Sequence, residues 1–160
     1  MTTSELSNLF RLSHYAINVN LDGFTHEESL APPPGGGNCL NWVLGHIVAS
    51  RNQILAQVGE EPTLHPAVAE RYKRGSEPIR VARDAAPLDL LYKAFQESQV
   101  RLLARLGSMD DAELDRSAGD PAGGGKTVGQ ALAFAHFHET YHAGQVGVLR
   151  RLAGKPGQIR

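Results

Sequence analysis

The sequence predicts an all-α protein, a four-helix bundle with a long crossover between its second and third helices. Three observations predict it. Apolar residues recur every three or four positions in four separate segments, no segment shows convincing strand alternation, and two proline- and glycine-rich stretches separate helical segments. A chain of 160 residues is long enough to bury roughly 70% of its unfolded surface. It holds no repeat of solenoid length and no separate linker, so residues 1–160 read as one domain.

The first helix runs from about Ser4 to Asn20. Thr2 to Glu5 forms a capping box, and Leu6, Phe10, Ser13/His14, Ile17 and Leu21 make the inward stripe before Asp22-Gly23 stops it. Ala31 to Gly37 (Ala-Pro-Pro-Pro-Gly-Gly-Gly) cannot hold a helix, because proline lacks a donor and glycine costs backbone entropy. The second helix follows, with Asn38 as expected N-cap, Leu40, Val43, Leu44, Ile47, Ile54 and Leu55 as its apolar face, and Val58-Gly59 as its end. Residues 60–86 carry three prolines and suit a crossover rather than a tight hairpin. The third helix begins near Pro87, acceptable in a first turn, and shows Leu88, Leu91, Phe95, Ser98/Gln99, Leu102 and Leu106 on one side. Gly107 terminates it, and Ser108 to Leu114 reads as one short capped turn. A loop over residues 121–126 leads to the fourth helix, which the Thr127–Gln130 capping box starts and which runs to about Ala153, roughly 40 Å.

Composition narrows the function. The chain has 16 basic and 17 acidic residues, without the clustered Lys/Arg that nucleic acid or an anionic membrane attracts; Arg150-Arg151 is too small a patch. The lone Cys39 leaves no internal disulfide and no multi-cysteine zinc knuckle. The N-terminus lacks the layout of a signal peptide, and no apolar run approaches the ~18 residues of a membrane span. The expectation is a soluble cytoplasmic protein.

Seven histidines are the oddity. On the fourth helix Val128, Ala131, Ala135, His138, His142, Gln145, Leu149 and Leu152 follow alternating steps of three and four, which predicts a single seam facing the interior. Two imidazoles four residues apart reach one metal ion at ~2.0–2.1 Å. The same pair also fits two hydrogen-bonded core histidines. His46, beside the apolar face of the second helix, is a candidate third ligand. Three histidines would leave a coordination position open, as catalytic sites do.

His138-Glu139-Thr140-Tyr141-His142 formally matches the His-Glu-x-x-His metallopeptidase pattern, but no His, Asp or Glu follows His142 to complete that layout. Glu139 is expected at the exposed edge of the seam, with a role as base toward a metal-bound water as the other reading. Gly123 to Thr127 is no phosphate loop, because Asp120 stands where that motif needs its first glycine and no strand precedes it. Cys39 lies about 10 Å along the helix from His46, too far to share its ion, and reads as a small buried residue. His14 is expected to pack or bond locally, and His136 to sit at the surface or a subunit contact. His26 and His65 fall in loops. Trp42 and Tyr141 flank the ligands and line the site or fill the core.

Trp42-x-x-x-His46 and His138-x-x-x-His142-x-Gly144-Gln145, followed by Leu149-Arg150-Arg151 and Gly154, resemble the DinB-like metalloprotein superfamily over nearly the whole chain. Many members read His-His-Arg-Gly-Gln where this chain has Tyr141 to Gln145. The resemblance implies a bundle of up-down-down-up order, a divalent zinc or nickel ion on His46, His138 and His142, and frequent homodimers. It also implies thiol transfer or isomerisation with a low-molecular-weight thiol, other members being labelled hydrolases. Gln145 and Tyr141 are then candidates for supporting the site, and a small-molecule substrate is the expected partner. Transfer of a thiol to a small electrophile, hydrolysis by a metal-bound water, and a non-enzymatic metal-binding bundle all stay open.

Overall fold

The computed structural model describes residues 1–119 and 125–159. Four long helices form the frame: α1 (Thr3–Leu21), α3 (Leu40–Gln57), α5 (Leu88–Ser108) and α6 (Val128–Leu152). Two short helices, α2 (His26–Ser29) and α4 (Pro66–Ala69), sit in the connections. Among the described residues the only β-type pairing is an isolated bridge between Ser117 and Thr127. Among the described residues no helix is long and apolar enough to cross a membrane.

The long helices pack in a closed ring: α1 against α6, α6 against α3, α3 against α5, and α5 against α1. Two buried clusters fill it. One joins Leu6 and Phe10 of α1 to Ile54 and Leu55 of α3, Leu102 and Leu106 of α5, and Val128 and Leu132 of α6. The other joins Ile17 and Leu21 to Leu40, Val43, Leu44 and Ile47, Leu91 and Phe95, and Val146. The starts of α1 and α6 therefore meet the ends of α3 and α5.

Capping boxes begin α1 at Thr2–Glu5 and α6 at Thr127–Gln130, as the sequence predicts. The expected cap of α3 is corrected. Cys39, not Asn38, is the N-cap, and it makes no side-chain cap bond. Its side chain is buried in the core, so packing decides which residue occupies that slot; Asn38 Oδ1 is buried without a partner among the described residues. Pro87 likewise precedes the first turn of α5 as its N-cap instead of occupying it. The turn after α5 is a 3-10 helix at Asp111–Asp115 capped by Asp110 and Glu113. Of the glycine loop expected over residues 121–126, residues 121–124 lie outside the described residues, as does the Asp120 on which the phosphate-loop argument turned.

One loop histidine is also corrected, while the other keeps its place in a loop as a helix cap. His26 opens α2, whose capping box is Thr25–Glu28, and its Nδ1 accepts the Leu88 amide at 3.3 Å. His65 caps α4, its Nδ1 accepting the Ala67 amide at 3.2 Å. Short capped turns of this kind lie below the length at which periodicity is visible.

The inward seam of α6 is rotated from the predicted one. Its buried residues are Val128, Leu132, Glu139, His142, Ala143, Val146 and Arg150, whereas Leu152 is 52% exposed and Gln145 and Leu149 are half-buried. The helix packs on both α1 and α3, so its buried arc is wide. The polar stripe through His138 and His142 lies at the α3 edge of that arc. Two charged residues occupy the arc itself. Arg150 is buried because its guanidinium donates to the Asn20 and Asp22 carbonyls at 3.1 and 2.6 Å, satisfying the free C-terminal end of α1.

Candidate metal centre

The α3–α6 packing brings His46, His138 and His142 together. One potential ligand atom from each lies within 4.8 Å of the others. His138 Nε2 is 3.2 Å from His46 Nε2 and 3.1 Å from His142 Nε2. Nitrogens bound to one tetrahedral ion at ~2.0–2.1 Å stand about 3.3 Å apart, so the trio is already spaced for a shared cation.

Surrounding bonds aim the rings. His46 Nδ1 is 2.7 Å from the Tyr72 carbonyl, which can only accept, so the proton sits on Nδ1 and the Nε2 lone pair faces the site. His142 Nδ1 donates in the same way to Gln145 Oε1 at 2.7 Å. Metal-ligating histidines are held by this kind of outer contact, which fixes the tautomer. The Trp42 ring stacks on His46 at 4.8 Å and 17°, and its indole N–H donates to Ser76 Oγ at 3.1 Å. Tyr141 is 60% exposed, meets His142 edge-on at 5.2 Å, and accepts from Gln145 Nε2 at 3.4 Å.

Electrostatics keep the imidazoles neutral, the form that ligates. Burial lowers the pKa of His142 to about 4, the Gln145 bond opposing it in part. Burial also lowers His46 and His138, and the positive charge of Arg74 adds to the effect on both. Three neutral imidazoles with converging lone pairs, two of them committed to Nδ1–H donation, fit a divalent cation.

Glu139 is the chief correction at the site. It is 3% exposed rather than at an open edge. Its carboxylate receives Arg51 Nε at 2.7 Å, Arg51 Nη2 at 2.8 Å and the Ser13 hydroxyl at 2.6 Å. Burial by itself raises its pKa, but the Arg51 charge and these bonds outweigh that and hold it below the usual range. The group is a fixed charge of the core, tied to Arg51 and Ser13 rather than free to take a proton.

The other histidines hold no shared site. His14 stacks on Phe95 at 4.4 Å and bonds Gln96 Oε1 at 3.1 Å, the local packing role expected of it. His136 is half-buried, its ring edge-on to Phe10 at 5.6 Å. Cys39 is buried and burial pushes its thiol pKa up, in keeping with a small packing residue. A cavity of about 810 Å³ opens elsewhere, where Val19, Phe24, Leu44, Leu88 and Tyr92 meet, and none of the three ligand candidates lines it.

Sequence reasoning missed Arg51, Tyr72 and Ser76. A signal for Arg51 existed: it continues the apolar stripe of α3 between Ile47 and Ile54, where a charge needs a buried partner. Tyr72 acts through a backbone carbonyl and Ser76 through a crossover turn, and neither leaves a pattern.

The DinB superfamily family model matches residues 10–146. No curated protein shows significant similarity to the chain. Among solved structures, a conserved protein from Enterococcus faecalis superposes with a TM-score of 0.73 at 20% identity, covering 97% of this chain and 99% of that one. That likeness carries the fold. With the family model spanning most of the chain, and with the three-histidine cluster in place, this protein belongs to the DinB superfamily.

Proposed function

We propose that this protein is a metal-dependent enzyme that transfers a low-molecular-weight thiol to a small electrophile, with His46, His138 and His142 holding a zinc or nickel ion. The carrying observation is the convergence of three Nε2 atoms, with contacts of 3.1 and 3.2 Å, two of them aimed by Nδ1–H bonds. A divalent cation there supplies a Lewis-acidic centre that lowers the pKa of a bound thiol and so raises its nucleophilicity. The residues of the chain supply neutral ligands, an exposed aromatic neighbour in Tyr141, and rigidity through Tyr72, Gln145 and Trp42.

The fate of Glu139 removes one route to hydrolysis, the one in which that carboxylate takes the proton of an attacking water, because Arg51 and Ser13 bind it. A cation that ionises its own bound water would need no such base, so the thiol requirement tested below is what separates the two readings. A cytoplasmic homodimer is part of the same reading. Phe134, Phe137 and Val148 line one exposed side of α6, an apolar strip that a second copy would cover.

Elemental analysis of purified protein is expected to find about one divalent ion per chain, and His138→Ala to lose most of it. Unchanged metal content in that variant overturns the site. Consumption of an electrophile should require added thiol; cleavage of esters or amides at an undiminished rate without thiol would instead make the protein a hydrolase.

A further inference from the structure

The crossover segment from Tyr72 to Ser76 forms a strap on the His46 side of the centre. Tyr72 rests directly on the α3 backbone, because residue 45 is glycine: a Cβ there would stand 2.2 Å from the Tyr72 ring. The Tyr72 hydroxyl donates to Asn41 Oδ1 at 2.8 Å and accepts the Ala86 amide at 2.7 Å. Both ends of the strap hold the site, the Tyr72 carbonyl gripping His46 and Ser76 Oγ gripping Trp42. Between them the Ser76 amide donates to the Lys73 carbonyl at 3.0 Å, closing a turn with Gly75 at φ +80°, the conformation a type II turn needs at its third position. Arg74 occupies the corner of that turn. Its Cα lies within ~7 Å of both anchoring residues by chain length alone.

The basic residues of the strap differ in what they do. Arg71 donates to the Glu77 carbonyl at 2.7 Å and to the Pro78 carbonyl at 3.4 Å, so it folds the strap onto itself. Lys73 is paired with Glu70. Arg74 is exposed and, among the described residues, has neither a hydrogen-bond nor an ion-pair partner. A guanidinium presents a planar fork that matches a carboxylate.

We propose that Arg74 is a specificity-determining residue that receives the carboxylate of a thiol ligand whose sulfur occupies the open position beside His46, His138 and His142. The substrate class is therefore a small thiol bearing a carboxylate a few atoms from its sulfur. This inference rests on the metal reading above.

The test uses the full chain loaded with cobalt(II) and titrated with mercaptoacetate or 2-mercaptoethanol, followed by the sulfur-to-cobalt charge-transfer absorption. Arg74→Gln is expected to weaken mercaptoacetate roughly fivefold and to leave 2-mercaptoethanol within about twofold, with cobalt uptake unchanged and Arg74→Lys recovering part of the loss. Equal weakening of both thiols, or none, overturns the carboxylate role while the metal site stands. Failure of the wild-type chain to take up cobalt, read before any thiol is added, overturns the metal reading and this inference with it.

Discussion

Glu139 lies one position from a proposed ligand, yet its partners are Arg51 and Ser13 in the core. A buried pair of this kind contributes little net stability relative to apolar residues, but removal of one member strands the other charge away from water. Glu139→Leu is therefore expected to cost about 3–5 kcal/mol in denaturant unfolding, and Arg51→Met with Glu139→Leu to recover most of it. If the double variant is no more stable than the single one, the pair is not what makes Glu139 costly to remove. The position also shows where residue-level reading fails. His138 and His142 were legible as a pair because i and i+4 fixes their separation on any helix. Whether Glu139 faces water or Arg51 depends on how α6 is turned against α1 and α3, and a charged side chain at that spacing looks the same either way.

At the level of elements, the α3–strap contact sets how His46 is held. Gly45 is the residue that lets Tyr72 approach, and the Tyr72 carbonyl then orients the His46 ring. Gly45→Ala should force the strap away. Helix propensity favours alanine by about 1 kcal/mol, but overpacking against the buried Tyr72 ring costs about 1–3 kcal/mol, so the variant is expected to lose up to about 2 kcal/mol of stability. Metal affinity is the sharper readout and is expected to fall at least tenfold, by analogy with loss of outer contacts to ligating histidines. Titration with a metal ion checks this, and unchanged affinity would show that the strap does not orient His46. The four long helices and the caps at Thr2 and Thr127 were legible, since capping boxes and periods of three and four are local. The cap at Cys39 and the short helices α2 and α4 were not, because burial and one-turn geometry determine them.

Across the whole molecule, buried neutral histidines couple folding to pH. His14 has its pKa lowered to about 4 by burial first and by the nearby Arg51 charge, against an unfolded value of 6.5. The unfolded chain therefore binds more protons between those two values, so this contribution is complete above pH 6.5 and is lost as pH falls toward 4. His46, His138 and His142 are shifted in the same direction. Stability measured by urea unfolding is expected to drop by a few kcal/mol between pH 7 and 4.5, with on the order of 2 kcal/mol of that slope absent in His14→Gln. A flat profile over this interval would mean that His14 is protonated in the folded state.

The sequence by itself determined the four long helices, their order, the pairing of His138 with His142 and the candidacy of His46, because each follows from local spacing along a chain with a fixed rise and turn. Tertiary structure alone decided the rotation of α6, the burial of Glu139 against Arg51, and the strap that carries Tyr72 and Ser76 to the site. Those depend on side chains far apart in the chain competing for the same interior space, and packing rather than local pattern resolves that competition.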